Sequence, residues 1–180
     1  MSEKPEILHQ SIVSRSRLFT VEAVDFRFSN GVERTYERLV PGGSGAVMMV
    51  AMLDNEHVAL IREFGGGIEE YTLTLPKGAV DLGETMEEAA NRELQEEIGF
   101  AARKMTFLKH MSLSPSYMKS GIDILLAEDL YPSELEGDEP EPLELVKWPL
   151  ADLHELVMRD DCTEGRAIAA LYLARDYLAN

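Results

Sequence analysis

The 180-residue chain has a single cysteine, Cys162, so no disulfide can form within it and nothing in its thiol chemistry calls for an oxidising compartment. No apolar run approaches the length of a membrane span, and the segment Met1–Gln10 lacks the apolar stretch of a signal peptide. A cytoplasmic protein is the expectation. Basic residues are scarce: 17 Lys and Arg stand against 33 Asp and Glu, a formal net charge of -16. A surface that acidic repels phosphate backbones and anionic lipids, which speaks against nucleic acid and membrane as partners. A small anionic substrate stays open, because divalent cations between carboxylates and phosphates reverse the local field. Metal-ligand spacing is missing among the histidines, His9, His57, His110 and His154, so none is expected to hold a metal.

What is present suits one folded domain, or one domain with a small appendage, since 45% apolar residues over this length can build a real core. Alternation from Leu18 onward, then Asn30-Gly31, then Val32–Val40 predicts a β-hairpin, with Asn30 and Gly31 both expected at positive φ. Pro41-Gly42-Gly43-Ser44-Gly45 breaks the pattern, which divides the chain into an N-terminal β-unit, 1–45, and a main domain, 46–180. Strands are expected at Ala46–Leu53, His57–Ile61, Tyr71–Leu75, Met105–Ser112, Ile122–Glu128 and Leu143–Trp148, with helices at Thr85–Ile98, Ala151–Met158 and Glu164–Leu178. The total is α+β: a mixed sheet covered by about three helices, with an antiparallel N-terminal unit. Tyr131–Pro142, with three prolines and five acids, reads as a loop.

The helix at Thr85–Ile98 is strongly marked. Thr85 and Glu88 have capping-box spacing, Gly99 supplies a stop, and Met86, Ala89, Ala90, Leu94 and Ile98 fall on one apolar face. Glu93, Glu96 and Glu97 converge on one edge, where their like charges repel unless a cation compensates. Mg²⁺, which prefers carboxylate oxygens and leaves positions open for phosphate and water, would do so. A solvated acidic face is the plainer reading of such a run. The wider pattern decides between them: Gly78, five residues, Glu84, seven residues, Arg92-Glu93-Leu94, one residue, Glu96-Glu97, one residue, Gly99-Phe100.

That pattern resembles the signature of the Nudix hydrolases at each of its nine defined positions. The resemblance implies an α/β/α sandwich and metal-dependent cleavage of a nucleoside diphosphate linked to another group. Carried over position by position, Glu93, Glu96 and Glu97 resemble the metal ligands, for Mg²⁺ or Mn²⁺, with the backbone carbonyl of Lys77 completing the site. Gly78, Glu84, Arg92 and Gly99 resemble the positions that shape the loop and tie it to the helix. Glu96 and Glu97 are also candidates for the catalytic base, which in some relatives lies in the box.

The flanks resemble the ADP-ribose pyrophosphatase branch. Leu60-Ile61-Arg62-Glu63-Phe64 and Leu75-Pro76-Lys77-Gly78 match its strand and box entry, while Thr74 departs from the branch's usual glutamate. Ser114-Pro115-Ser116-Tyr117 carries a branch-like proline and a tyrosine typical of diadenosine polyphosphate hydrolases, so Arg62, Glu63, Pro115 and Tyr117 are expected to contact substrate. Asp138-Glu139-Pro140-Glu141 resembles the acidic loop segment whose glutamate assists catalysis, with Glu141 in that role and Glu139 as runner-up. Ser14–Phe19, Ala89–Leu94 and Glu136–Leu143 extend the likeness to enzymes of mixed range, acting on ADP-ribose, NADH and short diadenosine polyphosphates. Branch members use an N-terminal β-unit in a homodimer, which implies one here. Two other readings stand beside this one. A nucleotide sensor on the same fold would lose box glutamates, and a Nudix-fold isomerase of isoprenoid diphosphates would want an active-site cysteine, which Cys162 does not match in position.

Overall fold

The structure, a computed structural model, describes residues 3–180; Met1 and Ser2, where the expected N-terminal unit and the signal-peptide reading begin, lie outside the described residues. The chain divides into two compact units, one of Met1–Gly45 with Ser112–Gly121, the other of Ala46–Met111 with Ile122–Asn180.

The first unit is a three-stranded antiparallel sheet, β1 (Glu6–Arg15), β2 (Thr20–Arg27) and β3 (Glu33–Val40), in that order. The β2–β3 hairpin is the expected one, but its turn is longer than a two-residue loop. Phe28 N–H donates to Val32 O at 2.9 Å and Gly31 N–H to Phe28 O at 2.8 Å. Only Gly31 has positive φ, 80°; Asn30 instead accepts from Val32 N–H through its side chain at 3.1 Å. β1 was not anticipated. Its pairing with β2 slips between Ile7 and His9 and again between Ile12 and Ser14, and such bulges erase the two-residue period by which a strand is read. Ser112–Gly121 joins this unit through backbone bonds from Leu39 N–H to Tyr117 O, 2.8 Å, and from Lys119 N–H to Leu39 O, 2.9 Å.

The second unit is built on a seven-stranded mixed sheet. Its strands are β4 (Ala46–Met52), β5 (His57–Gly65), β6 (Glu70–Thr74), β7 (Lys77–Ala79), β8 (Phe100–Ser112), β9 (Gly121–Pro132) and β10 (Glu144–Pro149). The main order is β10-β5-β4-β9-β8, with β6 beside β5 and β7 beside β4; β4 and β9 run parallel. Strands β5, β8 and β9 are longer than their apolar stretches suggested, and β9 takes in Tyr131 and Pro132, which the sequence assigned to the loop. β7 is three residues long, too short to show a period.

Helix α1 (Met86–Ile98) starts at Thr85, whose hydroxyl accepts from Glu88 N–H at 3.2 Å while Glu88 accepts from Thr85 N–H at 2.8 Å. Such a reciprocal cap is worth about 1 kcal/mol. Gly99, at φ 74°, stops the helix with its N–H on Leu94 O; a side chain there would be strained. Ala89, Ala90, Leu94 and Ile98 pack on Val47, Met49 and Ala51 of β4 and on Ala59 and Ile61 of β5. Strand alternation turns Met48 and Val50, also fully buried, to the opposite face. There α3 (Gly165–Leu178) contacts β4, burying Ala167, Ala170, Leu171 and Ala174, with the short α2 (Leu153–Val157) beside it. Helices therefore cover both faces of the sheet. Among the described residues no helix is long and apolar enough to cross a membrane.

Candidate active site

The site begins with β7. Val47 pairs with Gly78 and Met48 with Lys77 in antiparallel register, and Met49 N–H donates to Pro76 O at 2.9 Å, so the residues entering the box are fixed along β4. Because α1 packs on the same strand, its glutamates come down on Gly78. A Cβ built at Gly78 would stand 1.9 Å from the Glu93 carboxyl carbon and 2.0 and 2.2 Å from its oxygens. Glycine is required here for close approach. One residue earlier, Lys77 N–H donates to Glu97 Oε2 at 3.0 Å.

Arg92 occupies the centre of the box. Its Nε and Nη2 bind the two Glu84 oxygens at 2.9 and 3.0 Å, Nη2 also binds Ala79 O at 2.8 Å, and Nη1 reaches Glu93 at 2.7 Å and Glu96 at 3.1 Å. Glu84 in turn accepts from Asp81 N–H at 3.0 Å. The guanidinium thus joins loop to helix and orients two of the three helix carboxylates.

The third wall is the acidic loop after β9. Ser133 N–H donates to Gly99 O at 3.0 Å and Leu135 N–H to Gln95 O at 3.2 Å, while Ser133 Oγ donates to Gln95 Oε1 at 2.7 Å. The two backbone bonds use carbonyls left open at the C-terminal end of α1 and its cap. They bring Glu136, Gly137, Asp138 and Glu139 across the helix to line a cleft of about 580 Å³ with Lys77, Gly78, Asp81, Arg92, Glu93, Glu96 and Glu97.

Seven carboxylates in one cleft raise one another's energy. Burial pushes the Glu97 carboxyl up to about 8, against the partial relief of its bond from Lys77 N–H. Burial also raises Glu93 and Glu139, the latter further through Glu63 and Asp138. Oxygen-only donors of high charge, in a hollow kept open by the missing Cβ of Gly78, fit a hard divalent cation in chemistry. Among the described residues no three acidic, His or Cys side chains are already gathered closely enough to hold one ion. Arg92 holds Glu93 and Glu96 instead, so the fit is one of donor type and location.

The other expected contact residues are elsewhere or engaged. Glu63 pairs with the Lys77 ammonium. Arg62, expected to contact substrate, donates to Glu144 at 2.9 Å and Asp161 at 3.1 Å, partners 82 and 99 residues away that no local pattern reveals. The Glu141 carboxylate accepts from Tyr71 O–H and does not line the cleft; its runner-up Glu139 does. Pro115 and Tyr117 lie in the first unit, lining with Phe26, Phe28 and Tyr36 a separate hollow of about 450 Å³. Thr74 is buried and donates to Glu164 at 2.6 Å. Lys77, Asp81, Glu136 and Asp138 also line the cleft, and the sequence reading gave their side chains no role.

Asp161 carries a pH prediction. Bonds from Arg159 and then Arg62 hold its carboxyl down at about 2, below the ordinary 3.8. A depressed acid stabilises the fold above its unfolded pKa, and that contribution is lost as pH falls from about 4 through 2. After discounting for partial exposure it is worth about 1–2 kcal/mol. Asp161→Asn is therefore expected to melt several degrees below the unsubstituted protein at pH 7, with the gap closing below pH 4. A gap that persists at pH 2 would show that the loss is one of packing.

Comparison with known proteins bears on both units. Residues 5–38 match the NudE-type Nudix hydrolase N-terminal domain and residues 44–171 the NUDIX domain. The chain is 53% identical over 176 residues to the ADP compounds hydrolase NudE of Escherichia coli (strain K12), covering 98% of this chain and 94% of that one. It is 26% identical over 171 residues to the ADP-ribose pyrophosphatase of Bacillus subtilis (strain 168), covering 91% of each. A crystal structure of an ADP compounds hydrolase superposes with a TM-score of 0.91 at 51% identity, covering 99% of this chain and 96% of that one.

Proposed function

The chain belongs to the Nudix hydrolases, and from that membership we propose that it hydrolyses the pyrophosphate bond of ADP-containing compounds, releasing AMP. ADP-ribose, NADH and short diadenosine polyphosphates are the candidate substrates. The observation that carries this is the cleft in which Glu93, Glu96 and Glu97 of α1 face Lys77 and Gly78 of β7 and the acidic loop. Its position on an intact box favours hydrolysis over a sensing role.

Nudix hydrolases generally use a divalent metal, and here Mg²⁺, or Mn²⁺, would be held by Glu93, Glu96 and Glu97 with the Lys77 carbonyl. When bound, such an ion neutralises the diphosphate, lowers the pKa of a bound water and stabilises the leaving phosphate. The chain's own residues supply the rest. Arg92 orients Glu93 and Glu96, and the Lys77 amide orients Glu97. Proton removal from the attacking water falls to Glu139, whose support is its place on the cleft wall and a carboxyl raised by burial, the direction that makes a stronger base. Glu96 and Glu97 are the box alternatives.

Glu139→Gln is accordingly expected to lower kcat by about a hundredfold, within the usual range for losing a general base, with little change in KM. Glu141→Gln, which loosens only the contact with Tyr71, should lower it less than threefold on the scale of one exposed hydrogen bond. The reverse order would return the role to Glu141. We further propose a cytoplasmic homodimer formed through the N-terminal sheet. Its support is β1, exposed along its whole length, with Ile7, Ile12 and Val13 each between 44% and 51% accessible.

The deciding experiment is phosphatase-coupled hydrolysis of ADP-ribose, NADH and diadenosine di- and triphosphate, with Mg²⁺, with Mn²⁺ and with chelator. Release of AMP that chelator abolishes is the expected result. Tight binding of one compound without turnover of any would make the protein a sensor.

A further inference from the structure

The cleft that would receive a diphosphate is lined by seven acids and only two bases, Lys77 and Arg92. The two bases are not equivalent. A guanidinium has five N–H donors, and Arg92 makes five bonds: two to Glu84 and one each to Ala79 O, Glu93 and Glu96. It has nothing left to offer a ligand. The Lys77 ammonium has three N–H donors, and among the described residues its hydrogen bonds go to Glu63 alone.

Position adds to capacity. Lys77 is fixed through its backbone, paired with Met48 and donating its N–H to Glu97, so its side chain projects from a rigid point beside the box glutamates. The ammonium also lies within the electrostatic reach of both Glu97 and Glu139, whose carboxyls it favours in their ionised form. Glu63, its partner, is on β5, outside the residues that line the cleft. The pair is part-buried, with 18% of the lysine side chain and 29% of the glutamate side chain accessible, so Lys77 is held at the margin of the cleft by a carboxylate that is not itself part of the wall.

We infer that the Lys77 side chain is the phosphate-binding cation of this cleft, with Glu63 as the counter-ion that holds it when no phosphate is present. This rests on reading the cleft as a diphosphate site, and assigns Glu63 to the lysine instead of to substrate. A compact ammonium on a flexible stem can turn from Glu63 to a non-bridging phosphate oxygen without disturbing the backbone bond to Glu97, since the two use different atoms of Lys77. It adds positive charge that no carboxylate of the site neutralises directly once Glu63 has been left.

The test compares Lys77→Met, Lys77→Arg and Glu63→Gln by calorimetric binding of inorganic pyrophosphate in Mg²⁺ and by steady-state hydrolysis of ADP-ribose. Lys77→Met is expected to weaken pyrophosphate binding and raise KM by about tenfold or more, the scale of one charge-assisted hydrogen bond. Its kcat should stay within about threefold, because the loss is of binding common to ground and transition states. Lys77→Arg should recover most of the affinity, and Glu63→Gln, which frees the ammonium, should bind pyrophosphate at least as tightly as the unsubstituted protein. Unchanged pyrophosphate affinity in Lys77→Met overturns the assignment, as does a fall in kcat without loss of binding, which would mean that the side chain acts by positioning Glu97. If the unsubstituted protein binds pyrophosphate but hydrolyses no ADP compound, the proposed activity fails while Lys77→Met still decides the lysine. If it neither binds nor hydrolyses, both fall.

Discussion

Glu97→Gln is expected to remove turnover, by about a thousandfold or more in kcat, the consequence of losing several kcal/mol of transition-state stabilisation at a metal site. The fold should survive intact. Glu97 is part-buried on α1, and its carboxyl sits at about 8 against an ordinary 4.5 because burial disfavours its charge. For an acid raised in the folded state, the native protein binds protons that the unfolded chain has released, so stability falls as pH rises from about 4.5 to 8. An amide of the same shape has no such charge and can still accept from the Lys77 N–H. In chelator, Glu97→Gln should therefore melt no lower than the unsubstituted protein at pH 7.5 and lose less stability between pH 5 and 8. Activity and melting curves measured together separate the two effects, and retained turnover would end the assignment of Glu97 to the metal.

Gly78→Ala should be nearly as damaging to activity by a different route. The new Cβ would fall 1.9 Å from the Glu93 carboxyl carbon, an impossible contact. What it strikes is the far end of a side chain, so the backbone need not move. Glu93 can swing aside, at a cost in stability of about 1–2 kcal/mol for a displaced, part-buried carboxylate that has lost its bond from Arg92. Turnover should fall by about a hundredfold or more, since even a 1 Å misplacement of a positioning group is enough for that. Apparent metal affinity should weaken in parallel, which a Mg²⁺ titration of the residual activity would read. A Gly78→Ala protein with full activity would mean that Glu93 is not needed where it stands.

Glu93 and Glu97, the glutamates at stake in these substitutions, could be named from sequence because they sit on α1. Its cap, apolar face and stop are all local signals, and the signature fixes the glutamates by spacing within a single helix. The two strands that escaped notice lacked such a signal: β1 changes register twice, and β7 is only three residues long. Arg62 was legible as a polar residue on a mostly apolar strand, but whether its fork meets a phosphate or a carboxylate depends on Glu144 and Asp161, brought beside β5 only by the folded sheet. The acidic loop has no period from which to tell Glu139 from Glu141. The difference arises because the loop's start is bonded to α1 while Tyr71 draws Glu141 to itself. Lys77 was read for its carbonyl, and nothing in the neighbouring residues reveals that its side chain meets Glu63 fourteen positions earlier.

The bonds from Ser133 and Leu135 to the end of α1 give the protein a built-in reporter. Both donors are loop amides, and the acceptors are the carbonyls of Gln95 in the last turn of α1 and of Gly99 at its cap, so neither amide can exchange its proton for solvent deuterium without the loop lifting from the helix end. The Lys77 amide, bonded to Glu97, is shielded by a contact that involves no part of the loop. Exchange of the first two together, with Lys77 still protected, would mark excursions of the loop alone. Exchange of all three would mark loss of the helix end itself, and with it the glutamates on that turn.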